Sequence, residues 1–138
     1  MLRKAIFAGA LALLSAAAVA GLSQPAPVIV DLENRTASGD MLTAVTDKAE
    51  NVFIGCGTRN YDDGNGGVFT FGFCQAEDAD GEHIVCATLN PDLVQAVRAI
   101  SDFSYIQFLW EDDGNGVASC TSIGISTQSF YIEKPKSK

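Results

Sequence analysis

The sequence predicts an α+β fold made mainly of antiparallel β strands, with one short helix packed on them. Three observations lead to this prediction. Several short segments alternate apolar and polar residues, clusters of Asn, Asp and Gly separate them, and a single stretch has helical periodicity. We expect about six strands, arranged as a sandwich or as an open, curved sheet, and braced by two disulfides.

The helix is predicted over residues 91–101. Asn90 suits the N-cap position because its side chain accepts from free backbone N–H groups, and Pro91 loses nothing there by lacking its own N–H. The apolar residues of the segment form one stripe at helical period: Leu93, Val94, Val97 and Ile100. This face is expected to pack against the sheet.

The strands differ in how clearly the sequence marks them. Residues 103–110 carry aromatic and β-branched side chains on both parities, as a central strand does. Residues 68–75 alternate, with three phenylalanines on one parity. Further strands are predicted over 52–58, 117–125 and 130–132, and a strand or turn over 41–45. The predicted core consists of Phe71, Phe73, Leu93, Val97, Ile100, Ile106, Phe108, Trp110 and Ile123.

The N-terminal residues have the features of a signal peptide. A charged start, Arg3-Lys4, precedes an apolar run that ends in the small-residue pattern Ala18-Val19-Ala20. Cleavage near Ala20 would leave 118 of the 138 residues, enough for one domain. We therefore expect residues 1–20 to be removed, 21–40 to form a tether or at most an edge strand, 41–133 to form the domain, and 134–138 to form a tail. The product is expected to be secreted or periplasmic.

The chain is acidic, with 17 Asp and Glu residues against 9 Lys and Arg. Removal of Arg3 and Lys4 would change its formal charge from −8 to −10. Such a charge argues against nucleic acid or an anionic membrane as a partner, because phosphate groups are bound by Lys and Arg. It is compatible with a cationic partner, with metal ions, or with solubility alone as its purpose. The apolar run in the signal peptide is too short for a membrane span, so no membrane-embedded segment is expected.

The four cysteines are expected to form two disulfides, as in other small exported domains. Sequence alone allows three pairings. A hairpin around Ala79-Asp80-Gly81, with Gly81 left-handed, would place opposite each other the residues whose numbers sum to 160. Cys74 then faces Cys86, and we predict the disulfides Cys74–Cys86 and, by elimination, Cys56–Cys120.

Calcium is the one metal that the sequence makes worth considering, because carboxylates and Asn amides on Gly-rich turns are hard oxygen ligands. The segment Asp-Asp-Gly-Asn-Gly occurs twice, and no EF-hand loop fits it. Plain hairpin turns select the same residues. The candidate ligands are Asp62, Asp63 and Asn65 in the first turn and Asp112, Asp113 and Asn115 in the second. Asp78, Asp80 and Glu82 form a third acidic set, and no other cofactor is expected.

The sequence also resembles small exported, cysteine-bearing bacterial proteins of no assigned activity. The resemblance spans roughly residues 54–135, and its positions are hydrophobic or Cys rather than chemical. They are Ser104-Tyr105-Ile106, Trp110, Cys120-Thr121-Ser122-Ile123 and Ser129-Phe130-Tyr131. The resemblance implies a bacterial, extracytoplasmic setting and no particular function.

A binding module is the function class that these observations favour. Catalysis has little support, because His83 is the single imidazole and no nucleophile elbow, P-loop, GxGxxG or HExxH motif occurs. We therefore expect a non-enzymatic exported domain that binds a cationic partner. The alternatives are a calcium-binding structural or carbohydrate-binding domain and, less favoured, a hydrolase. The aromatics considered for a carbohydrate platform are Tyr61, Phe103, Tyr105 and Trp110, although Trp110 is expected in the core.

Overall fold

The structure is a computed structural model that describes residues 22–114 and 116–132. The predicted signal peptide, its cleavage point, Asn115 and residues 133–138 lie outside the described residues. Within the described ranges the chain forms seven strands in one mixed sheet, two α-helices and a short 3₁₀ helix. The mainly β class is thus confirmed, with one strand more than expected and one parallel pair of strands.

The strands follow the order β1-β2-β6-β7-β5-β4-β3 across the sheet. Neighbours are antiparallel except β5 and β7. The chain leaves β5 through α2, runs along β6 and returns on β7 beside β5, so β5 and β7 run in the same direction. The element bounds are β1 Ile29–Asp31, β2 Thr36–Asp40, α1 Met41–Val45, β3 Phe53–Asp62, β4 Val68–Glu77, β5 His83–Thr88, α2 Pro91–Arg98, β6 Tyr105–Asp112, β7 Ala118–Ser126 and the 3₁₀ helix Ser129–Tyr131.

The sheet is curved, so strands that are distant in its order approach one another. β1 contacts β4, and β2 contacts β3. The Val30 N–H donates to Oδ2 of the buried Asp78 at 3.1 Å, which joins the β1 edge to the turn after β4. Oδ1 of Asp78 accepts from the N–H groups of Asp80 and Glu82, both at 3.0 Å, so the carboxylate has partners at both oxygens. All seven strands belong to one sheet, and these contacts bring its two ends together.

The core lies on the inner face of this curve. Ile106, Phe108 and Trp110 of β6 are buried there together with Cys74 and Ala76 of β4. Of the predicted core, Val97, Ile106, Phe108 and Trp110 are confirmed as buried, while Leu93, Ile100 and Ile123 are half-buried. Helix α2 packs directly on the β4 backbone. A Cβ on Gly72 would lie 3.5 Å from the Cγ2 atoms of Val94 and Val97.

The prediction that Phe71 and Phe73 belong to the core was wrong. On β4 the small residues Gly72, Cys74 and Ala76 are buried, and the phenylalanines lie on the opposite, outer face, half-buried or exposed. A period-2 pattern shows that two faces differ but leaves open which one turns inward. Here α2 approaches the strand so closely that only small side chains fit between helix and sheet.

Helix α2 forms for the predicted reasons and ends earlier than predicted. The Asn90 side chain accepts from the N–H groups of Asp92 and Leu93, and Pro91 opens the helix. The N–H groups of Ala99 and Ile100 bond to carbonyls three residues back, which tightens the last turn. The helix thus ends at Arg98 rather than at residue 101.

The segment predicted as a tether, with at most an edge strand, contributes two strands. β1 is the edge strand, and β2 pairs with β6 over five residues. The segment after β2, predicted as a strand or turn, is helix α1. The buried Asp40 caps α1 by accepting from the Thr43 N–H at 2.7 Å.

The predicted last strand over residues 130–132 was also wrong. These residues belong largely to the 3₁₀ helix, and the Tyr131 ring stacks on Tyr105 with centroids 5.4 Å apart. The segment does not pair with β7 as a further strand, because β7 already has a neighbouring strand on each side. It is instead joined to the sheet by the stacked tyrosine rings.

The predicted hairpin register is confirmed, but the disulfides predicted from it were wrong. Cys74 lies opposite Cys86, and Gly81 has a φ of 85°. The bonds are nevertheless Cys56–Cys74 and Cys86–Cys120. Cys74 also lies opposite Cys56, and at that site the Cα atoms are 4.0 Å apart, the close spacing of a pair without hydrogen bonds. In a strand with a neighbour on each side, a residue directs its N–H and C=O toward one of the two neighbours only. Those of Cys74 do not face Cys56, so they face Cys86. The Cys74–Cys86 site is therefore the wider, hydrogen-bonded kind, which is less suited to a disulfide.

Candidate binding site

The outer face of β3 and β4 carries a row of aromatic side chains. We define the aromatic row as Tyr61, Phe69, Phe71 and Phe73. Tyr61 lies parallel to Phe71 at 6.0 Å between centroids, and Phe71 is 6.2 Å from Phe69 and 6.4 Å from Phe73. The Arg59 guanidinium lies 4.6 Å from the centroid of Phe73 and covers that end of the row.

Beside this row lies a groove where β5 leaves the sheet. β5 pairs with β7 at only two positions, Cys86–Ala118 and Ala87–Ser119, before the chain turns into α2. The space beyond forms a cavity of about 470 Å³. We define the apolar groove by its lining residues, which are Phe69, Phe71, Ala87, Thr88, Leu89, Val117, Ala118, Ser119 and Cys120.

Several large apolar side chains at the groove are open to solvent. Leu89 is 65% exposed, Val117 is 56% exposed and Phe69 is 46% exposed. Tyr61, in the adjoining row, is 55% exposed. Single exposed apolar residues are ordinary, but a contiguous group around a concavity is typical of an interaction surface. The groove and row are therefore the binding surface that the described part of the chain offers most clearly.

Carboxylates flank this surface at both ends. At one end, Val117 and Asp113 bond to each other twice. The Val117 N–H donates to Asp113 Oδ1 at 3.2 Å, and the Asp113 N–H donates to the Val117 carbonyl at 3.1 Å. At the other end, Asp63 lies two positions beyond Tyr61 of the aromatic row, and its N–H donates to the carbonyl of Gly67, two positions before Phe69. The arrangement gives an apolar groove with negative charge at its two ends.

The β3–β4 turn is held by its own carboxylates. Oδ1 of Asp63 accepts from the N–H groups of Asn65 at 2.8 Å and Gly67 at 2.9 Å, and Oδ1 of Asp62 accepts from the Gly64 N–H at 2.7 Å. The hydrogen bonds from Asn65 and Gly67 lower the pKa of Asp63 from its usual 3.8. The same hydrogen bonds therefore organise the turn and favour the ionised form of the carboxylate.

Replacement of Asp63 is expected to have an effect that depends on pH. Because the folded state lowers this pKa, the ionised carboxylate contributes stability above about pH 4, and the contribution is lost as the pH falls through the lowered value. The Asp63→Ala variant should therefore melt below the wild type at neutral pH, and the difference should shrink under acid. Asp63→Asn keeps an acceptor oxygen, so its melting temperature at neutral pH should lie between those of the wild type and Asp63→Ala. A difference in melting temperature that stays constant from neutral pH to about pH 3 would contradict this account.

The two Asp-Asp-Gly-Asn-Gly turns do not come together. β3 runs parallel to β5 and β7, so the turn that follows β3 and the turn that precedes β7 lie at opposite ends of the sheet. Asp112 instead faces Arg35 at 3.7 Å between side chains that are half-exposed or more. In the described part of the chain, no three His, Cys, Asp or Glu side chains form a group that could hold a metal ion. Calcium binding stays a prediction, without a site shared by the two turns.

The other predicted candidates are scattered over the molecule. His83 is exposed, as expected, and its ring meets Phe53 edge-on at 6.0 Å, away from the groove lining. Trp110 is buried on the inner face, whereas Tyr61 is exposed on the outer face. These two and Phe103 and Tyr105 therefore do not form one carbohydrate platform.

Leu89 and Val117 were not among the residues predicted for a site. The predicted register had placed Leu89 opposite Phe71 and Ala87 opposite Phe73, so the sequence did contain the signal for one apolar face across β4 and β5. The sequence did not indicate that this face points outward. The contribution of Val117 depends on the parallel pairing of β5 with β7, which no local pattern indicates.

Comparison with known proteins leaves the geometry as the basis for assigning a function. The chain matches no family model, no curated protein and no solved structure. Within residues 22–114 and 116–132, none of the helices has the length and apolar character needed to cross a bilayer. Two disulfides are typical of proteins that work outside the cytoplasm.

Proposed function

We propose that this protein is an exported, non-enzymatic binding module that takes a cationic protein partner on the outer face of its sheet. The observation that carries the proposal is the apolar groove between two acidic ends. Protein interfaces commonly have aromatic and aliphatic side chains at the centre and charged groups at the rim. The two disulfides support an oxidising compartment.

Charge supports the choice of partner. The formal charge is −8 over the whole chain, and the acidic residues include Asp63 and Asp113 at the two ends of the groove. Complementary charge raises the rate of association, and its effect falls with ionic strength. An acidic partner would meet repulsion at both ends of the groove. A basic partner would be drawn to the same two ends while its apolar side chains enter the groove.

The groove provides the first test. We expect Leu89→Ser combined with Val117→Ser to weaken the binding of a synthetic peptide of alternating Lys and Val by at least about tenfold. One buried aliphatic side chain contributes roughly 1.5–3 kcal/mol, and 1.4 kcal/mol corresponds to a factor of ten. Affinity would be measured by fluorescence anisotropy of the labelled peptide at low and high salt. Both residues are more than half exposed, so the variant should fold as the wild type does.

A matched control is available on the same chain. Val45 is 77% exposed and Leu32 is 47% exposed, and neither lines the groove. Val45→Ser combined with Leu32→Ser removes similar apolar surface elsewhere and should leave the affinity unchanged. A second probe, the same peptide with Glu in place of Lys, should not bind. Equal affinity for both peptides, or affinity indifferent to salt, would refute a cationic partner.

A further inference from the structure

The two edge strands of the sheet differ in length and in how far their outer side is covered. The β1 edge is three residues long, and its Val30 N–H is already bonded to the Asp78 carboxylate. β3, at the other edge, is ten residues long. Helices α1 and α2 and strand β2 contact β3, yet its last four residues, Arg59–Asp62, are all exposed. We define the edge segment as residues 58–62.

The backbone of the edge segment directs hydrogen-bonding groups away from the sheet. The 4.0 Å Cα spacing of Cys56 and Cys74 identifies that pair as one without hydrogen bonds, so the N–H and C=O of Cys56 point away from β4. Strand geometry alternates, so the same holds for Thr58 and Asn60. The Thr58 carbonyl accepts from Arg59 Nη1 at 3.2 Å, which agrees with this direction.

The edge segment lacks the devices that usually protect an open edge. Such edges are commonly blocked by proline, a bulge or an outward lysine. The segment contains neither proline nor lysine, and its register with β4 is continuous. Its one basic residue, Arg59, lies over the Phe73 ring and also donates to the outward Thr58 carbonyl, so an added strand would use the Thr58 N–H and both backbone groups of Asn60. Among the described residues, no strand other than β4 pairs with it.

Charge indicates what would occupy this edge. Asp62 ends the segment and Asp63 follows it, which places two exposed carboxylates at this end of β3. A second copy of this acidic chain would bring its own carboxylates to the same place. An extended segment with Lys or Arg would instead meet opposite charge as it paired with the backbone.

We propose that the edge segment binds an extended, basic stretch of the partner protein as an eighth strand beside β3. Thr58 and Asn60 would provide the backbone hydrogen bonds, and Asp62 and Asp63 would favour basic side chains. The aromatic row starts at Tyr61 on this strand, so the added strand would adjoin the outer-face surface. The inference rests on the proposed function, because it concerns how the same cationic partner is held.

Amide exchange tests this proposal with an internal control. The probe is the synthetic peptide of alternating Lys and Val, added to the oxidised protein. Site-resolved hydrogen exchange should slow by at least about tenfold at the amides of Thr58 and Asn60. The amides of Arg59 and Tyr61 already point toward β4 and should change little. Binding of the peptide without added protection at Thr58 and Asn60 would overturn strand addition while leaving the proposed function in place.

Two variants at one position separate the backbone from the side chain. Asn60→Pro removes the outward N–H without removing a bond to β4, and should weaken peptide binding by on the order of tenfold. Asn60→Ala keeps that N–H and should bind as the wild type does. Equal binding by the proline variant would overturn the proposal, and so would protection of both amides in a dimer of the protein without peptide. Failure of the wild type to bind the peptide at any salt concentration would instead refute the proposed function.

Discussion

Replacing Phe108 with alanine is expected to lower the free energy of unfolding by about 3–5 kcal/mol, the usual cost of removing a buried aromatic ring. Phe108 is fully buried on the inner face, and its ring lies 6.1 Å from that of Trp110. The surrounding side chains belong to a curved sheet closed by α2 and have little freedom to fill the space. Urea unfolding at neutral pH would measure the difference in unfolding free energy between the variant and the wild type, provided that both show the same dependence on urea concentration.

Phe69 is the matched control for this prediction. It is the same residue type on a strand of the same sheet, but it faces outward and is 46% exposed. Phe69→Ala should change the free energy of unfolding by less than about 1 kcal/mol. Phe108→Leu, expected to cost about 1.5 kcal/mol or less, keeps the comparison possible if the alanine variant does not fold. Similar losses for Phe69→Ala and Phe108→Ala would mean that the inner and outer faces have been assigned the wrong way round.

The disulfides give the second large expected effect. Replacing both Cys86 and Cys120 with alanine should cost about 4 kcal/mol, and replacing both Cys56 and Cys74 about 3 kcal/mol, because a cross-link restricts the unfolded chain more when its loop is longer. The bonded residues are 34 positions apart in the first pair and 18 in the second. Chemical denaturation of the oxidised proteins would measure both losses.

A third double variant distinguishes this pairing from the one the hairpin had favoured. Replacing Cys74 and Cys86 together removes one partner from each disulfide, so both cross-links are lost. The expected cost is then about 7 kcal/mol, enough to unfold many domains of this size. A cost near 3 kcal/mol, or a proteolytic fragment in which Cys74 is joined to Cys86, would show that these two cysteines bond to each other.

Much of the hairpin and helix geometry was predictable because it is local. Gly81 alone meets the need for a left-handed residue in its turn, and this requirement set the pairing of β4 with β5 residue by residue. Asn90 and Pro91 likewise placed the start of α2. In both cases the deciding contacts lie within a few positions of one another along the chain.

The candidate site was predictable only in part. The acidic turns and the alternation of Phe69, Phe71 and Phe73 were evident from the sequence, but their roles were not. The groove needs β7 beside β5, a parallel pairing of strands separated by α2 and β6. Contacts of this kind depend on the path of the whole chain, and no periodicity in either strand indicates them.

By itself, then, the sequence determined the mainly β class, the start of the helix, the register of one hairpin and the acidic charge. Only the tertiary structure decided which face of β4 turns inward, because that depends on how closely α2 approaches Gly72. It also decided the partner of Cys74, because the choice depends on which neighbouring strand receives the backbone hydrogen bonds. Each strand carries two faces and two edges, and the rest of the fold determines which of them are covered.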